Sequence, residues 1–492
     1  QCGVSCPISD QFVERQMETK ANLIGGEWVA GGDSIRNDNP SNLDDPIGTY
    51  ALATPEQVRD ATQAARRALV SWAQTTTQVR SDLLIRTAME LLERKEELGE
   101  LVSREAGKTR VEGIGEVIRA AQIFQFFSGE AVRYGGENLP SVRPGIGIQT
   151  SRDPVGVVSV ITPWNFPIAI AAWKLAPALA FGNTVVFKPS EETPGIAWAL
   201  LNIMQRHGLP AGVVNLVNGR GAVIGKAMTE GVDAITFTGS ARVGREIAGH
   251  AIANMTRVQL EMGGKNPLVI LDDAQLDVAV ECAVNGAYFS AGQRCTASSR
   301  LIVTGKIYDR FVDALVTRMQ SLKVGPSLAE GIDIGPVINQ RQLDAIQRYI
   351  QVGKDEGAEL IAGGELVEAP TRGFFMKPAL MAGTNAMRIN REEVFGPFAS
   401  VIRVADYDEA LAVANDTDFG LSSGICTTSH RFATHFRMNV KSGLTMVNLP
   451  TAGLDYHVPF GGRKGSSYGP REQGKSAVEF YTTGKTAYVS YV

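Results

Sequence analysis

Two stretches of the sequence hold residue types able to open a carbonyl group. In FSAGQRCTASSR, Cys295 stands beside Arg294 and among Ser290, Gly292 and Ser298, none of them a core-filling residue. The neighbouring cation is expected to favour the thiolate, the nucleophilic form of cysteine. A lone cysteine is otherwise most often a small buried hydrophobe, and Cys282 reads that way within VAVECAVNGA. Upstream, LEMGGKNP ends an apolar run on Glu261 shortly before two glycines. By itself that carboxylate reads equally as a strand-end surface charge or as a base free to swing. Thiol and carboxylate together suit a two-stage reaction, in which the thiolate attacks a carbonyl and the carboxylate then activates the water that hydrolyses the acyl-enzyme. PWNFP, residues 163–167, brackets Asn165 with two prolines and two aromatics directly after VGVVSVIT. A rigidly held Asn there is expected to donate to a developing oxyanion, the plainer alternative being a turn cap.

A dinucleotide site is marked less sharply. The pattern G-x-G-x-x-G is absent, and two partial matches stand in for it: Gly219-Arg-Gly221 with Gly225, after VVNLV, and Gly239 with Gly244 in FTGSARVG. Either joint would set a helix N-terminus against a phosphate, or serve as a plain turn. KPSEETP adds Lys188, Ser190 and Glu191 just past NTVVF. Lys and Glu suit ribose hydroxyls at the carboxyl end of a strand, and equally suit a solvated loop.

The elements that must position these residues follow from periodicity. TPEQVRDATQAARRAL and RSDLLIRTAMELLERKEELGELVSREAG carry apolar residues at three- and four-residue spacing and read as surface-packed helices. From Gly156 to Leu271 short β-branched runs alternate with helix-length segments, the texture of a parallel, doubly wound α/β sheet. SRLIVTG, KIYDRFVDALVTRMQSL, RQLDAIQRYIQVGKDEG, FASVIRVAD and SGLTMVNL repeat that texture as a second domain. The closing VEFYTTGKTAYVSYV alternates as a strand, and such a terminal strand is expected to pair with another subunit.

With 492 residues, 44% hydrophobic, the chain can bury a large core, and its net charge of −4 gives no global field favouring nucleic acid or a membrane. Its partners are expected to be small molecules. The five cysteines are scattered and odd in number, unlike a disulfide framework. Cys2 and Cys6 lack a second ligand pair, so no metal site is expected. The first residues lack the basic and apolar regions of a secretory signal, and the most apolar stretch, Phe166 to Gly182, contains Lys174 and Pro177 and is too short to span a bilayer. A cytoplasmic location is expected.

The motifs PWNFP, FTGS, LEMGGKNP, GQRCTASSR, EEVFGP and PFGG, in this order and spacing, closely resemble the aldehyde dehydrogenase superfamily, and the likeness runs from LIGGEWV near residue 23 to the C-terminus. The resemblance implies two Rossmann-type α/β domains and a β-strand oligomerisation arm. Residues 1–131 and 153–263 would bind the dinucleotide, 264–464 would form the catalytic domain, and 132–152 with 465–492 the arm of a homodimer or homotetramer. It implies Cys295 as nucleophile, Glu261 as general base, and the Asn165 side chain with the Cys295 backbone N–H as oxyanion hole. Lys174 matches a lysine linked to proton movement. For NAD, favoured over NADP, it implies Lys188 and Glu191 at the adenosine ribose, Gly239 and Ser240 near the pyrophosphate and Trp164 near the phosphates, with Ser190, Gly221, Gly225 and Phe237 also expected to bind the cofactor. Glu393, with Phe395 beside it, would hold the nicotinamide ribose.

The stretch TAGLDYHVPFGGRKGSSYGPREQGKSAVEFYT is similar to that of bacterial α-ketoglutarate semialdehyde (2,5-dioxovalerate) dehydrogenases. Succinate semialdehyde dehydrogenases often carry an Arg where Trp173 stands here, which disfavours that relative. An acidic substrate needs a cation, and Arg294 is the candidate by position, an exposed loop charge being the alternative; Phe166, Trp173, Phe289 and Phe460 are expected to wall the aldehyde tunnel. Glu261 argues against a CoA-acylating relative, and Cys295 against a plain hydroxy-acid dehydrogenase. A binding protein that had lost activity would be expected to lack one of the pair.

Overall fold

The β-branched runs between 157 and 261 become five parallel strands at the centre of an eight-stranded sheet in the computed structural model, which describes residues 18–491. Cys2 and Cys6 lie outside the described residues. The runs are continuous rather than alternating because helices cover both faces of the sheet and nearly every strand residue is buried. Val157–Ile161 is central, with Thr184–Lys188 and then Val214–Leu216 on one side and Ala234–Thr238 and then Arg257–Glu261 on the other. The chain therefore winds outward in one direction and returns to wind in the other. The crevice created by that reversal lies beyond Ile161 and Thr238, where PWNFP and Gly239–Ser240 sit, and such switch points are where open α/β sheets bind ligands. Ser467–Tyr468 closes one edge of this sheet, and Asn22–Ile24 with Glu27–Val29 the other, all antiparallel.

The second α/β domain holds a seven-stranded sheet, ordered Glu359–Ala362, Ala379–Ala382, Phe398–Val404, Ser298–Thr304, Asn266–Ile270, Ser422–Cys426 and Leu444–Val447. All neighbours are parallel except the first pair. Here the functional segments precede their strands: Gly263–Gly264 lead into Asn266–Ile270, Cys295 into Ser298–Thr304, and Glu393–Phe395 into Phe398–Val404. The carboxyl edge of the first sheet thus faces the amino edge of the second.

Two buried helices complete the frame. Arg110–Glu130 starts with a capping box in which Thr109 and Glu112 satisfy each other's backbone N–H groups. Pro167–Ala180 has Pro at its first turn and is almost wholly buried, so the apolar stretch around Lys174 is core. Among the described residues no helix is long and apolar enough to cross a membrane.

The C-terminal stretch divides in a way that alternation alone did not predict. Val478–Tyr481 is one helical turn, whose Phe480 and Tyr481 are buried in the first domain's core. The strand is Thr482–Ser490, and it pairs over nine residues with Ile146–Pro154 of its own chain. Asn138–Pro140 lies on the far side of Ile146–Pro154, so that among the described residues Thr482–Ser490 is an edge strand of this sheet.

Candidate active site

Cys295 is delivered by a strained turn. After helix Leu276–Tyr288, three successive residues, Ser290, Ala291 and Gly292, take positive φ of 55°, 52° and 64°. Left-handed non-glycine residues cost of order 1–3 kcal/mol each and persist only where surroundings impose them. A Cβ on Gly292 would sit 2.0 Å from the Gly396 carbonyl, so the turn packs too closely for any other residue. Beyond it, Asn266 Nδ2 donates to the carbonyls of Cys295 (2.8 Å) and Ala297 (2.9 Å), pinning the backbone around Cys295.

The thiol is not activated by its sequence neighbour. Arg294 turns away from Cys295: its guanidinium donates to Ser290 Oγ (3.1 Å), the Asn285 carbonyl and side chain (both 3.3 Å) and Glu112 Oε1 (3.4 Å). Burial pushes the Cys295 thiol up to about 12, and the carboxylates of Glu393 and Glu261 add to the shift, against partial relief from the backbone N–H groups of Cys295 and Thr296. The expected effect of an adjacent cation is therefore reversed, because proximity in sequence did not bring the two charges face to face.

Glu261 ends its strand with its carboxylate turned toward Ser467 Oγ, which donates at 2.5 Å. Burial first, and then the like charge of Glu472, hold it well above the usual carboxylate range, with Ser467, Lys174 and Arg471 opposing. Lys174, fully buried, donates to Thr236 Oγ1 (2.8 Å) and to Glu472. The carboxylate lines neither cavity described below.

Two cavities meet at Cys295. One, about 290 Å³, is bordered by Trp164, Asn165, Gly239, Ser240, Glu393 and Phe395. Asn165 Nδ2 gives one hydrogen to the Gln293 carbonyl (3.0 Å), leaving its second N–H uncommitted among the described residues. Ser240 caps helix Ala241–Ala253, whose positive end opens on this cavity. Glu393 accepts from the Gly264 N–H (2.9 Å), and burial pushes it up to about 7. A Cβ on Gly263 would lie 2.1 Å from Glu393 Oε2. The Trp164 and Phe395 rings meet edge to face at 5.4 Å. A cradle of helix terminus, glycines and a carboxylate fits a dinucleotide's phosphate and ribose.

The second cavity, about 380 Å³, is lined by Phe166, Trp173 and Phe460, and also by Lys108, Glu112, Glu116, Arg119 and Arg294. Trp173 and Phe460 stack at 5.2 Å. Phe289 is not brought to this wall; it packs against the second domain's core. Phe237 is likewise a core residue, its ring lying beneath Gly239. Lys188, Ser190, Glu191, Gly221 and Gly225 do not border either cavity. They sit farther along the same edge of the first sheet, where Lys188 Nζ donates to the Pro189 carbonyl (3.0 Å) and lies 3.7 Å from Glu191, and Ser190 Oγ accepts from the Glu192 N–H (3.3 Å).

The aldehyde dehydrogenase family model matches residues 28–487. The chain belongs to the aldehyde dehydrogenase family. An α-ketoglutaric semialdehyde dehydrogenase of Bacillus subtilis is 42% identical over 481 residues, 96% of this chain and 99% of the relative. An α-ketoglutarate semialdehyde dehydrogenase of Haloferax volcanii is also 42% identical, over 478 residues that cover 96% and 99% of the two chains. Betaine aldehyde dehydrogenase from Staphylococcus aureus, solved in complex with NAD+, superposes with a TM-score of 0.93 at 36% identity, covering 96% of this enzyme and 95% of that chain.

Sequence reasoning missed the charged face of helix Arg110–Glu130 and the role of helix Gln340–Asp355. In the latter, Gln342 Nε2 donates to the carbonyls of Val394 and Phe395 (both 3.0 Å) and so fixes the Glu393 loop. The signal available was the spacing of Glu112, Gly115, Glu116 and Arg119 along one helical face.

Proposed function

We propose that the enzyme oxidises α-ketoglutarate semialdehyde to 2-oxoglutarate with NAD through a thioester on Cys295. The observation that carries this reading is that Cys295 borders both cavities, so one sulfur can meet an aldehyde on one side and a dinucleotide on the other. The thiolate adds to the aldehyde carbon, and the resulting oxyanion is met by the Asn165 amide and the Cys295 backbone N–H. Glu393 would hold the ribose of a nicotinamide that, when bound, would supply the hydride acceptor. Glu261, by rotating off Ser467, takes a proton from the water that releases the acid. Lys174, with Glu472 behind it, offers a path for that proton.

The two relatives named for this substrate and the cations of the larger cavity support the choice of an acidic semialdehyde. Glu191 near the adenosine ribose would repel a 2′-phosphate, which favours NAD over NADP. The edge position of the strand Thr482–Ser490 suits a second copy of the chain, as in a dimer or tetramer. Cys282, Cys295 and Cys426 are free thiols, in keeping with a reducing cytoplasm.

The test is a panel of α-ketoglutarate, succinate and glutarate semialdehydes and pentanal, each assayed with NAD and NADP. The highest kcat/KM is expected for α-ketoglutarate semialdehyde with NAD, and a higher value for pentanal would refute the substrate. Cys295→Ala is expected to abolish turnover while NAD binding survives; residual turnover near wild type would remove the thioester.

A further inference from the structure

The larger cavity contains more charge than an aldehyde needs, and most of that charge is already spoken for. Lys108 and Glu116 form a buried pair at 2.5 Å, and Glu116 Oε1 also accepts from the N–H groups of Ile168 (3.0 Å) and Ala169 (3.1 Å), tying it to the start of the PWNFP helix. Arg294 and Glu112 form a second pair. Arg294 commits four of its five N–H groups, since Nε donates to Ser290, Nη1 to the two Asn285 oxygens and Nη2 to Glu112. Arg294 is therefore a strut between the strained turn and helix Arg110–Glu130, with little left to give a substrate.

Arg119 is different. It lies on the same helical face, seven residues beyond Glu112 and three beyond Glu116, and lines the same cavity. Among the described residues it has no hydrogen-bonding or carboxylate partner; its one recorded contact is with the Tyr456 ring, whose centroid is 5.7 Å from the guanidinium carbon. Tyr456 is itself braced edge to face on Phe126 at 6.2 Å, one heptad along the helix from Arg119. The two internal pairs cancel, so Arg119 leaves the cavity with a single uncompensated positive charge. An arginine held by an aromatic face, with its donor fork free, is suited to receive a carboxylate in bidentate fashion.

We propose that Arg119, rather than Arg294, receives the distal carboxylate of the substrate, with Tyr456 holding its guanidinium in place. The proposal rests on the reading of the substrate as an acidic semialdehyde. It makes Arg119 a specificity-determining residue: it reads the end of the substrate remote from Cys295 and takes no part in bond making.

The test compares kcat/KM for α-ketoglutarate semialdehyde with that for pentanal, and measures inhibition by 2-oxoglutarate, in wild type, Arg119→Gln, Arg119→Lys, Arg119→Glu and Arg294→Gln. Losing one bidentate charged contact is expected to lower the preference for the acid about 10- to 100-fold in Arg119→Gln, chiefly through KM, and to raise the inhibition constant of 2-oxoglutarate similarly. Arg119→Lys should recover part of both. Arg119→Glu should shift preference toward a quaternary-ammonium aldehyde. Cofactor binding and a wild-type-like unfolding midpoint establish that each variant is folded. If Arg119→Gln keeps the wild-type preference while Arg294→Gln loses it, the proposal falls and the acidic substrate stands. Should wild type itself fail to prefer the acid over pentanal, the substrate reading falls, and this proposal with it.

Discussion

Replacing Asn165 with alanine separates its observed hydrogen bond from its proposed oxyanion role. The amide is buried, at 5% exposure, and one of its two N–H groups is fixed on the Gln293 carbonyl at 3.0 Å. The other is left for the cavity at Cys295. Removing one oxyanion donor typically costs a factor of about 10²–10³ in rate, roughly 2.7–4 kcal/mol, and here would leave the Cys295 backbone N–H alone. The same change orphans a carbonyl on a residue only 4% exposed, a stability cost of about 1–3 kcal/mol. Stopped-flow NADH formation isolates the acylation burst from thioester hydrolysis, and denaturant unfolding reads the stability. The expected result is a burst slowed about 10²–10³-fold, with KM little changed, in a protein destabilised by the smaller amount. A burst within a few-fold of wild type, accompanied by the stability loss, would refute the oxyanion role and leave Asn165 as a strut for the Gln293 loop.

Further substitutions test the surrounding groups. Glu261→Gln should preserve the NADH burst while steady turnover falls about 10²–10⁴-fold, since glutamine cannot accept the proton of the attacking water; loss of the burst instead would move Glu261 into acylation. Because Glu261 must be ionised to act and its proton affinity is raised, hydrolysis of the thioester should speed up as pH rises through that elevated value. Glu472→Gln removes a like charge and should shift this limb to lower pH, and Lys174→Met removes an opposing charge and should shift it higher; an unmoved pH profile in single-turnover hydrolysis would disconnect the cluster from Glu261. At Gly115, a Cβ would meet nothing within 4 Å. Gly115→Ala should therefore stabilise helix Arg110–Glu130 by up to ~1 kcal/mol, and Gly115→Leu should fill the larger cavity and raise KM without unfolding the protein. A lowered unfolding midpoint for the alanine variant would mean that position 115 is packed.

What the sequence made readable was local, and what it hid was pairing across distance. PWNFP, Gly239–Ser240, Gly263–Gly264 and Glu393 each announce a strand end or a close backbone approach through Pro, Gly and aromatic residues. The winding of two sheets then carries them to one crevice, with Asn165 and Gln293 in contact although 128 residues apart. The α/β alternation was legible because parallel strands buried on both faces must be uninterrupted apolar runs. Charge states were not legible. Arg294 reads as the neighbour that would ionise Cys295 until Glu112, 182 residues away in sequence, is seen to hold it. Nothing in the sequence sets Glu112 and Arg119 apart, because a charged helical face looks the same whether it meets water or lines a cavity. The raised proton affinity of Cys295 follows from burial and from Glu393 and Glu261, none of which its own segment encodes. Its elevation also has a consequence for mechanism: a thiol held near 12 resists alkylation and oxidation at neutral pH. Ionisation must then be favoured by what enters the cavities, since a cation placed beside the sulfur lowers its pKa as the carboxylates raise it. Iodoacetamide inactivation should accordingly be slow in the free enzyme at pH 7 and accelerate with rising pH.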